Sequence, residues 1–250
     1  MLVNSRVARQ ALDRVAASKV GPPLLALRRR IKPELRRDRR DTEHLRLLLA
    51  YLLARDSNCV DVGSHLGEAL EEMIRVAPEG RHIAFEPLPD FHARLVQAFP
   101  GVDVRGVALS DREGEASFTY VRTRPGYSGF RPRDYPSAEE AETITVPVAT
   151  LDASLPDDYV PALIKIDVEG AEQHVLEGAL QTLTTFRPAV VFEHGSAARE
   201  YGTSPEVVFD LLCGDAGLRV FDLDGNGPYR REEFAAVYER GRVWNFLAHA

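Results

Sequence analysis

The sequence predicts an α/β fold: a mostly parallel sheet with helices on both faces, closed by an antiparallel hairpin and preceded by a basic helical arm. Three observations predict it. From residue 42 onward, short apolar runs alternate with amphipathic stretches of helical period, the pattern of a parallel sheet covered on both sides. The last two apolar runs, 218–225 and 242–250, follow one another with no good helix between them, which suits a closing hairpin. Residues 1–40 hold 12 Lys and Arg against 3 Asp and Glu, whereas the remainder holds 19 against 35. We therefore divide the chain into a basic helical arm, 1–41, and an α/β domain, 42–250.

The elements follow in order. Residues 5–19 and 24–40 have helical character, broken at Gly21-Pro22-Pro23. "TEHLRLLLAYLLARD" is an amphipathic helix with Thr42 as its expected N-cap. "NCVDVG" and "RHIAFEP" are strands, each followed by a helix, over 67–78 and 88–100. "VDVRGVALSD" is a strand and "GEASFTYV" another beyond a turn. Residues 123–142 form a loop, and "ITVPVATLDASL" holds a strand and a turn. "LIKIDVEG" is a strand and "AEQHVLEGALQTL" a helix with Val175, Leu176, Ala179, Leu180 and Leu183 on one face. "PAVVFEHG" is a strand, and "SPEVVFDLLCGDAG" a helix.

Composition excludes several function classes. The formal net charge is −7, and the body past residue 40 is strongly acidic, a poor match to a phosphate backbone. Nucleic acid is therefore not expected as a partner. No apolar run approaches the ~20 residues of a membrane span. No apolar segment follows the N-terminal charges as a signal peptide requires. Two cysteines, Cys59 and Cys213, give no disulfide framework and suit a reducing cytoplasm, the expected location. The arm reads as a solvated helix packed by its few leucines, with peripheral contact to an anionic membrane as the functional alternative. Homo-oligomerisation stays open.

Ligands of an open parallel sheet sit beyond the carboxyl ends of its strands. Here those ends carry Asp61, Glu86, Asp111, Asp167 with Glu169, and Glu193 with His194. In "VDVGSHLG", Gly63 and Gly67 allow a tight turn and close approach of a ligand to the backbone. His65 replaces the middle glycine of a dinucleotide fingerprint, which argues against a nicotinamide oxidoreductase. Asp61 disfavours a pyrophosphate and favours a cationic centre. Glu86 stands 25 residues later, where a carboxylate can grip a ribose diol. A ribose beside a cation, without phosphate, describes S-adenosylmethionine. The bland alternative makes Asp61 and Glu86 caps of the following helices.

The ordered motifs Val60 to Gly67, Phe85-Glu86-Pro87-Leu88-Pro89, Ala108-Leu109-Ser110-Asp111 with Gly114, Thr150-Leu151-Asp152, Ile164 to Glu172, and Val175 to Gly178 resemble the FkbM-like methyltransferases over roughly residues 45–195. The resemblance implies a Rossmann-like class I methyltransferase fold with a seven-stranded sheet. It implies S-adenosyl-L-methionine as cofactor and O-methylation of a sugar or natural-product hydroxyl. The cofactor-binding residues it suggests are Asp61, Gly63, Ser64, His65, Gly67, Glu86, Pro87, Ser110, Asp111 and Asp167. Ser64-His65 departs from the family's Ala-Asn, which can reshape the contact with the methionine end of the cofactor.

The candidate catalytic residues are Asp167, Glu169 and His194. Asp167 is expected to face cofactor and acceptor. Glu169 is expected to position or deprotonate the hydroxyl, with His194 the rival base because its ordinary pKa is nearest neutrality. Glu172 and Glu177 read as solvated helix residues. Asp167, Glu169 and Glu193 offer hard oxygen ligands of the kind magnesium takes, so a divalent metal is possible here but not favoured. Residues 222–233 fit a calcium-loop pattern, yet the preceding run reads as a strand rather than a helix, so a turn is expected. Loop 122–136 is either a lid over the acceptor or a surface insertion. The alternative to an enzyme is a non-catalytic nucleoside-binding or scaffold protein that keeps the fold.

Overall fold

A computed structural model describes residues 33–131 and 141–250. The helix expected over 5–19 and part of loop 122–136 lie outside the described residues. The chain divides into two units at Leu47/Leu48. The first described element, α1 (Pro33–Leu52), is a single helix that runs through this point and through residue 42. Thr42 is thus no N-cap: it sits mid-helix, where its hydroxyl donates to the Asp38 carbonyl at 2.8 Å.

The second unit is built on β1 (Asn58–Val62), β2 (His82–Phe85) and β3 (Asp103–Arg105), with helices α2 (Glu68–Val76) and α3 (Pro89–Ala98) between them. A two-residue strand β4 (Ala108–Leu109) follows, then β5 (Gly114–Val121), β6 (Ala141–Ala149) and a one-turn helix α4 (Leu151–Ser154). After β7 (Pro161–Ile166) come α5 (Glu172–Glu177) and α6 (Leu180–Phe186), then β8 (Ala189–Glu193). Helix α7 (Pro205–Phe209), β9 (Arg219–Asp222), α8 (Arg231–Arg240) and β10 (Asn245–His249) end the chain.

The seven-stranded sheet has the order β3-β2-β1-β7-β8-β10-β9. β1, β2, β3, β7 and β8 pair in parallel, and β10 runs antiparallel to both β8 and β9. The expected antiparallel closure is present, but helix α8 joins its two strands. Its apolar positions, Phe234 and Tyr238, are buried four residues apart, a spacing too sparse to stand out in a charged segment. Every residue of β2 is buried, and all of β1 after Asn58, as parallel strands covered on both faces require.

Two expected elements divide. "VDVRGVALSD" is not one strand: β3 pairs with β2, whereas β4 joins a separate three-stranded sheet, β4-β6-β5. The helix expected over 171–183 breaks into α5 and α6 around Gly178. A Cβ at Gly178 would stand 2.0 Å from the Ser110 carbonyl oxygen, so the backbones meet there. The new helix start is capped from outside, as the Asp152 carboxylate accepts from the amides of Gln181 (2.9 Å) and Thr182 (2.8 Å). Val175, Leu176, Ala179 and Leu183 still reach the core as expected.

Candidate functional site

The strand order reverses between β1 and β7, since the chain moves outward through β2 and β3 on one side and through β8 on the other. Such a reversal leaves a crevice beyond the carboxyl ends of the two central strands. Asp61 pairs in register with Lys165 there, and Val62 with Ile166. Gly63, Ser64 and His65 leave β1 at this point, and Asp167, Val168 and Glu169 leave β7.

Gly63 adopts φ 76°, and a Cβ on it would lie 1.9 Å from the Asp167 carbonyl oxygen. Only glycine fits where the two strand ends touch. The amides of Gly63 and Ser64 both donate to the Phe85 carbonyl, at 3.0 and 3.1 Å, which brings the end of β2 alongside. Ser64 Oγ donates to the Asp61 carbonyl at 2.9 Å and closes the turn. Gly67, at φ 78°, opens α2 against the Phe99 ring and the Leu95 side chain.

Glu86 follows β2 and is almost fully buried. Its Oε2 accepts from the His65 amide at 2.7 Å, and Oε1 from the Leu88 amide at 2.9 Å, across Pro87. Each oxygen keeps a further lone pair. Burial pushes the Glu86 carboxyl up to about 7, against those two hydrogen bonds and the positive charge of Lys165. His65 has φ 48°, and its ring stacks on Phe91 with centroids 4.5 Å apart. Its Nε2 is buried with no hydrogen-bond partner among the described residues, and burial lowers its pKa.

Lys165 lies on β7, paired in register with Asp61. Its Nζ lies 3.3 Å from Asp61 Oδ1 and 3.5 Å from Asp167 Oδ2, and donates to the Gly63 carbonyl at 3.0 Å. Burial alone would lower its pKa, but Asp61 and Asp167 outweigh that and hold it above the usual lysine value. The cluster of one cation and two carboxylates keeps a net charge of −1. Asp61 is fully buried, and its Oδ2 has no hydrogen-bond partner among the described residues. A buried acceptor of this kind fits a cationic, hydrogen-donating ligand. The signal in the sequence was there: a lysine inside the otherwise apolar run Leu163 to Ile166.

Past β7, Glu169 adopts φ 61° and is followed by Gly170 at φ 111°. A β-carbon at Gly126, in the turn Pro125–Tyr127, would lie 3.1 Å from Glu169 Oε1. The described part of loop 122–136 therefore packs against the Glu169 carboxylate. Glu172 is not solvated either. It is 1% exposed, and its Oε1 accepts from the amides of Val168 (3.2 Å) and Gly170 (2.9 Å). Glu177 is partly exposed, accepting from Gln173 Nε2 at 2.8 Å.

His194 follows β8 and is fully buried, its ring stacked on Tyr238 (4.6 Å between centroids) and near-parallel to Phe234 (6.1 Å). Burial drives its pKa down to about 4, so the imidazole is neutral at pH 7. It packs into the aromatic cluster beneath α8. Ser110 and Asp111 follow β4, and Ser110 Oγ donates to Asp111 Oδ1 at 3.0 Å. Asp111 gathers with His174 and Glu177, their ligand atoms all within 4.8 Å of one another. Asp167, Glu169 and Glu193, considered above for magnesium, form no such group among the described residues.

The calcium-loop pattern at 222–233 is a self-contained turn. Asp222 accepts from the amides of Asp224 and Asn226, from Asn226 Nδ2 and from the Tyr229 hydroxyl, and Glu233 accepts from the Arg230 amide. The carboxylates of Asp222 and Glu233 are thus engaged within the segment, that of Glu233 as part of the cap of α8.

A family model described as the methyltransferase FkbM domain matches residues 61–220, which span the whole crevice. The chain belongs to the FkbM methyltransferase family. Among solved structures, this FkbM-family chain is similar to the methyltransferase FkbM from Methylobacillus flagellatus KT, with 16% identity and a TM-score of 0.50. That match covers 79% of this chain and 44% of the other. A second similarity is to the AMB antimetabolite synthetase AmbE of Pseudomonas aeruginosa, 40% identical over 83 residues. It covers 32% of this chain and 4% of that protein, so the chain spans a small part of the curated relative it matches. Among the described residues, no helix is long and apolar enough to cross a membrane.

Proposed function

We propose that this FkbM-family chain is an S-adenosyl-L-methionine-dependent O-methyltransferase whose acceptor is the hydroxyl of a sugar or natural-product small molecule. The observation that carries the reading is the pairing of Glu86 with the Asp61–Lys165–Asp167 cluster at the sheet's reversal point. Glu86 offers lone pairs to a ribose diol, and Asp61 a buried acceptor to an ammonium group. The residual negative charge favours a sulfonium. Bound there, the cofactor supplies an electrophilic methyl group.

The residues of the chain then orient and deprotonate. Asp167, partly exposed, orients the acceptor hydroxyl, and Glu169 takes its proton. Glu169 is preferred over His194 because its backbone turns it toward loop 122–131, whereas His194 is sealed under α8. Position and electrostatics contribute most of the rate in such a site. Ser110 and Asp111 are assigned to the cofactor's far end, and a divalent metal is not required by this scheme. The similarity to part of an antimetabolite synthetase agrees with a natural-product acceptor.

One observation favours a second reading, a nucleoside-binding protein without turnover. The His65 ring, stacked on Phe91, occupies the first loop where a smaller asparagine is usual. The two readings separate on transfer of radiolabelled methyl from S-adenosylmethionine to a panel of hydroxylated sugars and phenols. The enzyme reading expects labelled product, lost in Asp167→Asn. Cofactor binding with no labelled product from any acceptor would favour the second.

A further inference from the structure

We infer that Glu172 is the positioning residue of this site: its buried carboxyl sets the corner Asp167–Gly170 and thereby aims Asp167 and Glu169 into the crevice. This rests on the reading of the crevice as a methyltransferase site.

The geometry is specific. Between the end of β7 and the start of α5, the chain must turn within five residues, and two successive residues take positive φ, Glu169 at 61° and Gly170 at 111°. Positive φ in a non-glycine residue is strained and persists only where the surroundings enforce it. The enforcing contact is at hand. Glu172 is the first residue of α5, and its side chain folds back so that Oε1 receives both the Val168 and the Gly170 amide. Those two amides flank Glu169, so one oxygen holds both sides of the strained residue. Gly170 has a second constraint, since a Cβ there would stand 2.6 Å from the Ala197 carbonyl oxygen, which presses the corner from behind.

The other oxygen, Oε2, is buried without a hydrogen-bond partner among the described residues. A solvated helix-start glutamate would show none of this. Burial raises the carboxyl to about 7, with the Asp167 charge adding to the rise. The side chain is thus placed as a brace rather than as a surface charge, and a glutamine, whose amide oxygen can accept the same two bonds, should replace it.

The test compares Glu172→Ala and Glu172→Gln in the full chain. Hydrogen exchange of the Val168 and Gly170 amides is followed beside isothermal titration with S-adenosylmethionine. In Glu172→Ala the two amides should exchange at least about tenfold faster, while amides of β1 and β2 keep their protection and cofactor affinity falls about tenfold. In Glu172→Gln both protection and affinity should return to near the wild-type values. Unchanged protection of the two amides in Glu172→Ala would overturn the brace. So would lost protection with unchanged affinity, which would make Glu172 merely structural. Failure of the wild-type protein to bind the cofactor would instead sink the methyltransferase reading, and the exchange data would still judge the brace.

Discussion

Lys165 Nζ stands 3.3 Å from Asp61 Oδ1, across two strands paired in register at the point where the sheet reverses direction. The same nitrogen reaches Asp167 and the Gly63 carbonyl, so one side chain ties together both strand ends that form the crevice. Removing it should be costly. Lys165→Met leaves the fully buried Asp61 without its counter-charge, and the expected loss is about 3–5 kcal/mol. Urea denaturation checks it; a loss below about 1 kcal/mol would mean that the ion pair contributes little.

Glu86 should make cofactor binding depend on pH. Its carboxyl titrates near 7, and ribose hydroxyls donate hydrogen bonds better to the ionised form. Binding then draws off a proton, so affinity should rise by up to about tenfold per unit as pH increases toward 7, and level above it. Titrations in two buffers of different ionisation enthalpy would show the released proton. Glu86→Gln should bind more weakly and lose the pH dependence.

Stability should respond to the same groups with opposite consequence. Glu86 and Glu172 both have carboxyls raised by burial to about 7 from an ordinary 4.5. The unfolded chain therefore loses these protons first as pH rises. Their contribution is fully present below about pH 4.5 and is lost by about pH 7, at most about 3 kcal/mol for each. Glu172→Gln should flatten this decline in a series of melts across the range, leaving the share of Glu86. A decline of unchanged steepness would contradict the burial argument.

His194 should behave as a packing residue. Its ring lies between aromatic neighbours, with neither nitrogen hydrogen-bonded among the described residues. His194→Phe should keep stability within about 1.5 kcal/mol, as volume-conserving core changes do, whereas His194→Ala should cost roughly 2–4 kcal/mol. Labelled-methyl transfer by His194→Phe should match that of the wild type. A collapse of transfer in a stable protein would return His194 to the role of base.

Much of this architecture is legible in the residues themselves. Strands β1, β2 and β8 stand where apolar runs mark them, because a doubly covered strand needs an apolar stretch, and β7 keeps such a run on either side of Lys165. The crevice residues Asp61, Gly63 and Glu86 were equally visible, since strand ends and glycines carry local signals. What was not legible depended on contacts distant in sequence. The strand around 102–111 divides because β4 pairs with β6, at residues such as Ala108 and Val148 far apart in sequence. The 171–183 helix breaks because Gly178 meets Ser110. Helix α8 hides in a charged segment, and Thr42 looked like a cap because the helical stretches before and after it read as separate, whereas α1 runs through it. Glu172 looked solvated because helix-start glutamates usually are. Only the folded corner shows that its carboxyl turns inward.

Glu86 and the Asp61–Lys165–Asp167 cluster are together proposed as the cofactor site. Isothermal titration of the folded protein with S-adenosylmethionine, repeated on Glu86→Ala, tests it most directly. Saturable micromolar binding is expected, weakened about 100-fold in the variant by the loss of two charge-assisted hydrogen bonds. A folded wild-type protein that shows no binding heat, or a Glu86→Ala variant that binds as tightly as wild type, would contradict it.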